Sequence, residues 1–237
     1  MAKMVGMSRN LKLPWLNEVA RLHITGLNEK QIKNELNEYL SFEISSPTNL
    51  RKTREILMNI WVNENEDVES LREEAINIIK KDKGNTVLAH WSVMLVVYPV
   101  FADICRLIGK ISEFQTEITL AQLKQKLFDE WGERTTLYHS VDKIISTMKE
   151  LGVLIAEKPG RYEINSHFVN DNEEISLMLK AAMISEKTSY CSFDDLNKFS
   201  VLFPFEFEVD KTALMQDKGF EFNTFGGEVN ISLGKNV

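Results

Sequence analysis

The stretch that most constrains this chain lies near its middle, WGERTTLYHSVDKIISTMKELGVLI at 131–155. Its apolar residues Leu137, Val141, Ile144, Ile145, Met148 and Leu151 recur at intervals of three and four, the spacing of one buried stripe on a helix. A stripe of that length has to be covered by other parts of the fold. Gly152 supplies the stop, because glycine accepts the left-handed conformation that closes a helix. The apolar run at 153–155 then suits a strand entering a hairpin.

The flanks extend the pattern. From 109 to 165 the sequence parses as a helix end, a short strand, a helix, a turn, a second helix and a hairpin, the order of a winged helix-turn-helix. Thr119 is placed to cap LAQLKQKLFDEW, and Gly132 permits a sharp change of direction. The helix from Arg134 to Leu151 takes the recognition position. VLIAE and RYEIN are the expected strands, joined through the turn tripeptide Lys158-Pro159-Gly160.

The first third reads as helices throughout. LPWLNEVARLHI stops at Thr25-Gly26, Asn28 caps EKQIKNELNEYL, and Ser46 with Pro47 opens TNLRKTREILMNIWV. LREEAINIIKK follows, ending near Gly84. The segment at 86–109 is long and apolar enough to suggest a membrane span, yet it contains His90, Asp103 and Arg106 and is broken by Pro99. We expect two buried helices there, the first ending near Tyr98.

Charge divides the chain unevenly. Residues 1–162 hold 22 basic and 22 acidic side chains, whereas 163–237 hold 6 and 13, so the net charge of −7 sits in the last third. With the polar run NSHFVNDNEE, this marks a boundary near 165–173. Beyond it, EEISLMLKAAMI reads as a helix. LFPFEFEV alternates Phe203, Phe205, Phe207 and Val209 with acidic residues like a half-buried strand, and two more strands flank Gly226-Gly227. The expected fold is therefore mainly α: a helical bundle at 1–109, a winged helix at 110–165 and a small acidic α+β region at 166–237. An acidic region repels phosphate and suits a protein partner; its strands are expected either to pack onto the winged helix or to present an edge to a partner strand.

Cys105 and Cys191 stand at unrelated spacings behind no basic-then-apolar leader, which points to free thiols, a reducing compartment and a cytoplasmic location. Catalysis has little support. HExxH, a phosphate-binding loop and GxGxxG after a strand are missing from the sequence, and His23, His90, His139 and His167 lack a second ligand at metal-binding spacing. The expectation is a non-enzymatic protein without metal, cofactor or membrane association.

The central segment resembles the winged-helix domains of bacterial regulators and replication proteins, through its Thr-Leu-x-x-Leu, its helix ending in Lys-Glu-Leu-Gly-Val-Leu and its glycine-containing wing. The wider order, RKTREILMNIW, HWSVMLVVYPVF and then the winged-helix segment, is similar over residues 45–165 to the BrxA family of bacterial phage-defence islands of the BREX type. That resemblance implies a DNA-binding accessory component of a multi-protein defence system.

Candidate DNA contacts follow from the helix geometry. With the apolar stripe inward, Arg134, Thr135, Tyr138, His139 and Lys143 face outward near the helix start, residue types suited to guanine, phosphate and backbone contacts. Lys158 and Arg161 flank the wing, and Arg51, Lys52 and Arg54 cluster near another helix start. The expected partner is double-stranded DNA, held mainly by phosphate. Residues 110–163, however, hold 8 basic and 9 acidic side chains, without the surplus of an electrostatic footprint. The alternative is a protein-interaction subunit whose winged helix docks on an ATPase, helicase or nuclease partner.

Overall fold

The computed structural model describes residues 5–225 and 228–234 and is mainly helical. Its contacts divide the chain into two units, one built from 1–65 with 114–165 and the other from 66–113 with 166–237. This differs from the expected partition at 1–109, 110–165 and 166–237. The boundary at 165 is common to both; the difference lies in 66–113, which buries its helices with the C-terminal region.

The first unit begins with an irregular arm at 5–12 and three helices, α1 (Leu13–Ile24), α2 (Glu29–Ser41) and α3 (Pro47–Trp61). The expected caps are in place. Asn28 forms a reciprocal capping box with Gln31, and the Ser46 hydroxyl accepts from the Asn49 N–H with Pro47 in the first turn. The chain re-enters this unit as β1 (Glu117–Thr119), α7 (Leu120–Trp131), α8 (Thr135–Glu150), β2 (Leu154–Lys158) and β3 (Arg161–Ile164). The strands form an antiparallel sheet in the order β1-β3-β2, with Tyr162 opposite both Ile118 and Ala156 and a bulge between Ala156 and Lys158. Gly132 and Gly152 both take positive φ, at 76° and 75°, so the two helix exits that depend on glycine are made by glycine.

The second unit contains α4 (Glu69–Lys80), α5 (Thr86–Val97), α6 (Pro99–Ser112), β4 (His167–Val169), α9 (Asn172–Glu186), β5 (Cys191–Ser192) and α10 (Phe193–Leu196). A 3-10 turn at Ser200–Leu202 precedes β6 (Phe205–Phe207), α11 (Lys211–Gln216), β7 (Phe220–Phe225) and β8 (Glu228–Leu233). Pro99 separates α5 from α6 as expected, and the two are bent by 114°. No single described helix is long and apolar enough to cross a membrane. Helix α5 is buried at every residue from Leu88 to Leu95, and α9 at every residue from Glu174 to Met183. Helices buried all round need neighbours on all sides, and α5 and α9 supply one another, which is why 66–113 belongs with the C-terminal region.

Two expectations for that region need correction. The alternation at 203–209 yields only a three-residue strand, β6, and it pairs in parallel with β4 rather than within one antiparallel element. Phe203 and Phe205 instead turn onto Trp91, each with its ring centroid 5.9 Å away, so the run is shaped by core packing on α5. The antiparallel strands β7 and β8 form as expected, with β5 beside β8; the turn at Gly226-Gly227 lies outside the described residues. Within this unit the Lys180 ammonium, 2% exposed, is held by both oxygens of Glu74 at 3.0 and 2.9 Å and of Asp217 at 3.1 and 3.2 Å. Burial pushes the Glu74 carboxyl up, whereas Asp217, although partly buried, is held down by the Ser176 hydroxyl, the Gly219 N–H and Lys180.

Candidate nucleic-acid interface

Helix α8 buries the whole predicted stripe: Leu137, Val141, Ile144 and Met148 are fully buried, and Ile145 and Leu151 nearly so. The opposite face is fixed by that burial. It exposes Thr135, Thr136, Tyr138 and His139 and leaves Arg134 and Lys143 half-buried. Arg134 is the residue just before the helix, in extended conformation, with its guanidinium 5.9 Å from the Trp131 ring centroid. No acidic residue occupies the first turn, so the positive end of the helix dipole is unopposed there.

The arm at 5–12 runs past the same helix. Met7 and Leu11 are fully buried, and the Leu11 N–H donates to the Thr147 hydroxyl at 2.9 Å. Between arm, α3 and α8 lies an open cleft of about 840 Å³. The arm contributes Val5, Gly6, Ser8 and Arg9, α3 contributes Lys52, and α8 with its cap contributes Arg134, Thr136, His139, Ser140 and Lys143. Four of these are cationic and none is a carboxylate, although the unit as a whole carries 16 basic and 15 acidic side chains. The positive charge is therefore a local concentration. Cations flanked by hydroxyls and a helix N-terminus, in a cleft open to solvent, are suited to phosphate oxygens.

Of the ten residues expected from sequence, Arg134, His139, Lys143 and Lys52 converge on this cleft. The other six lie elsewhere. Thr135 is exposed beside it on α8. Tyr138 stacks on Phe128 with ring centroids 6.2 Å apart, and the Lys124 ammonium sits 3.3 Å from its ring centroid while pairing with Asp142 at 2.7 Å. Tyr138 thus ties α7 to α8. On α3, Arg51 is exposed, whereas Arg54 binds Glu55 and reaches Asn37 of α2 at 2.9 Å. Lys158 is exposed at the end of β2, and Arg161 pairs with Glu117 across the sheet.

Sequence reasoning missed Arg9 and the rest of the arm. SRN at 8–10 belongs to no periodic element, and nothing local says that it runs along a helix more than a hundred residues away. Outside this unit, Cys105 and Cys191 are free and buried; burial raises both thiols, Cys191 to about 11. Among the described residues no group of three His, Cys, Asp or Glu side chains is placed to hold a metal ion. Comparison of the chain with protein-family models, with curated proteins and with solved structures finds no match.

Proposed function

We propose that this protein is a non-catalytic DNA-binding accessory or regulatory protein, and that its first unit contains a winged helix in which α8 is the recognition helix and the β2–β3 hairpin the wing. The order β1-α7-α8-β2-β3 and the strand arrangement β1-β3-β2 support the winged-helix assignment. The observation that carries the function is the cleft: Arg9, Lys52, Arg134 and Lys143 come from three separate segments to one acid-free concavity at the start of α8. Repulsion between like charges makes such convergence costly unless an anion offsets it. The similarity in layout over 45–165 supports a place in a multi-protein phage-defence system, and the two free thiols fit a cytoplasmic setting.

The test is fluorescence anisotropy of the full chain with labelled mixed-sequence duplex DNA over a range of salt, beside the double variant Arg134→Ala, Lys143→Ala. Binding should weaken steeply with salt, and the double variant should lose affinity and flatten the salt slope by about 2, one per phosphate contact removed. Absence of binding at low salt would overturn the proposal.

A protein-docking role has its own support in the second unit, which carries 20 acidic against 12 basic side chains. Its strand β7 spans six residues and pairs only with β8 among the described strands, leaving one edge to accept a strand from a partner. Capture of a partner by the wild type but not by a chain with proline at Phe222 would favour that role; equal capture would count against it.

A further inference from the structure

Two cavities of the first unit meet at Arg9. One is the cationic cleft. The other is a pocket of about 380 Å³ bounded by Asn10, Trp15, Ile44, Asn49 and Thr53, with Arg9 and Lys143 as the walls common to both. Their chemistry differs in a way that one ligand would explain. The cleft offers cations and hydroxyls; the pocket offers an indole, a branched aliphatic side chain and two amides, and apart from its two common walls carries no charge.

Arg9 itself is incompletely satisfied. Its guanidinium donates to the Asn49 side-chain oxygen at 2.9 Å and to the Ser8 carbonyl at 2.5 Å, but its Nε is buried with no partner among the described residues. Two of its five N–H groups are used in this way, and the side chain lines both cavities. Asn49 spends its side-chain oxygen on Arg9, which leaves its two amide hydrogens as donors.

We propose that this pair of cavities takes an unpaired nucleotide of DNA, with its phosphodiester between Arg9 and Lys143 and its base in the pocket beside Trp15 and Ile44. Charge on one side and an apolar slot edged with amides on the other are what a phosphate and an unstacked base require. A base inside a duplex cannot enter, because its faces are stacked and its pairing edge is occupied. Single strands, overhangs and extruded bases can. The volume falls within the range of pockets that enclose small ligands, about 300–1,000 Å³. This rests on the assignment of the cleft to DNA and specifies which form of DNA it prefers.

The experiment is fluorescence anisotropy with the full chain and three labelled probes: a mixed-sequence single strand, its blunt duplex, and that duplex with one unpaired nucleotide. The single strand and the interrupted duplex should bind about 10-fold tighter than the blunt duplex, a factor typical of one accommodated base. Ile44→Phe, which fills the pocket, should abolish the preference while leaving blunt-duplex affinity within about 2-fold. Retained duplex binding shows that the variant is folded, and Asn10→Phe blocks the pocket from the arm should Ile44→Phe not fold. Equal wild-type affinity for all three probes, or a preference that survives both substitutions, overturns the proposal while leaving the cleft a DNA site. Failure to bind any probe overturns the DNA assignment itself.

Discussion

The backbone N–H of Leu11 donates to the side-chain hydroxyl of Thr147 at 2.9 Å, and both residues are fully buried. Thr147 also donates to the Lys143 carbonyl one turn earlier on α8. One hydroxyl thus anchors the arm to the helix while its own donor is satisfied, and Arg9 lies two residues from the anchor. Thr147→Val keeps the shape and removes the acceptor. The Leu11 N–H is then buried without a partner, a cost of about 1–3 kcal/mol. Urea unfolding should show that loss, and DNA affinity should fall with it because Arg9 depends on the arm. Thr147→Ser, which keeps the hydroxyl, should retain most of both; equal losses in the two variants would contradict the anchoring role.

Tyr138 offers a contrast within the same helix. From sequence it is a candidate DNA contact, but its ring stacks on Phe128 and meets the Lys124 ammonium. Tyr138→Ala should therefore lower stability by about 1 kcal/mol, the worth of a partly exposed cation–π and stacking pair. DNA affinity should change little. A large affinity loss with unchanged stability would return Tyr138 to the interface.

The helices, their caps and the β2–β3 hairpin were legible because each depends on residues close in sequence. Asn28, Ser46, Thr119, Gly132 and Gly152 all act within a turn or two of their own position. The buried stripe of α8 was legible for the same reason. What was not legible is which buried surfaces meet. Periodicity shows that α5 is apolar all round but not that α9 lies against it, and alternation at 203–209 cannot foresee Phe203 and Phe205 turning onto Trp91. One of the four cations of the cleft was hidden likewise: Lys52, Arg134 and Lys143 stand on or next to predicted helices, whereas Arg9 reaches them through an arm with no periodic signal.

Gly109 on α6 marks a close approach of a different kind. A Cβ built there would lie 2.0 Å from the Ser200 carbonyl oxygen and 2.8 Å from its carbon, so the following 3-10 turn sits directly on the helix backbone. Neither atom belongs to a flexible side chain that can swing away. Gly109→Ala should cost about 1–3 kcal/mol through overpacking, although alanine favours helices elsewhere. Gly132→Ala meets no neighbour within 4 Å and should cost only the strain of its φ of 76°. Thermal unfolding of the two variants separates the mechanisms, and a stabilised Gly109→Ala would refute the close approach.

His90 sets the expected acid response of the second unit. It is fully buried on α5, and burial lowers its pKa from the ordinary 6.5 to about 3. Between those values the unfolded chain binds a proton that the folded unit does not. His90 therefore costs nothing above about 6.5 and destabilises progressively as pH falls toward 3. One proton contributes at most about 1.4 kcal/mol per pH unit. His90→Gln keeps a polar side chain without the titration, so its stability, followed by urea unfolding through the acid range, should decline less steeply than that of the wild type. Carboxylates titrate in both proteins, so the difference between the curves isolates the histidine. Parallel curves would mean that His90 either is protonated in the fold or reaches water there.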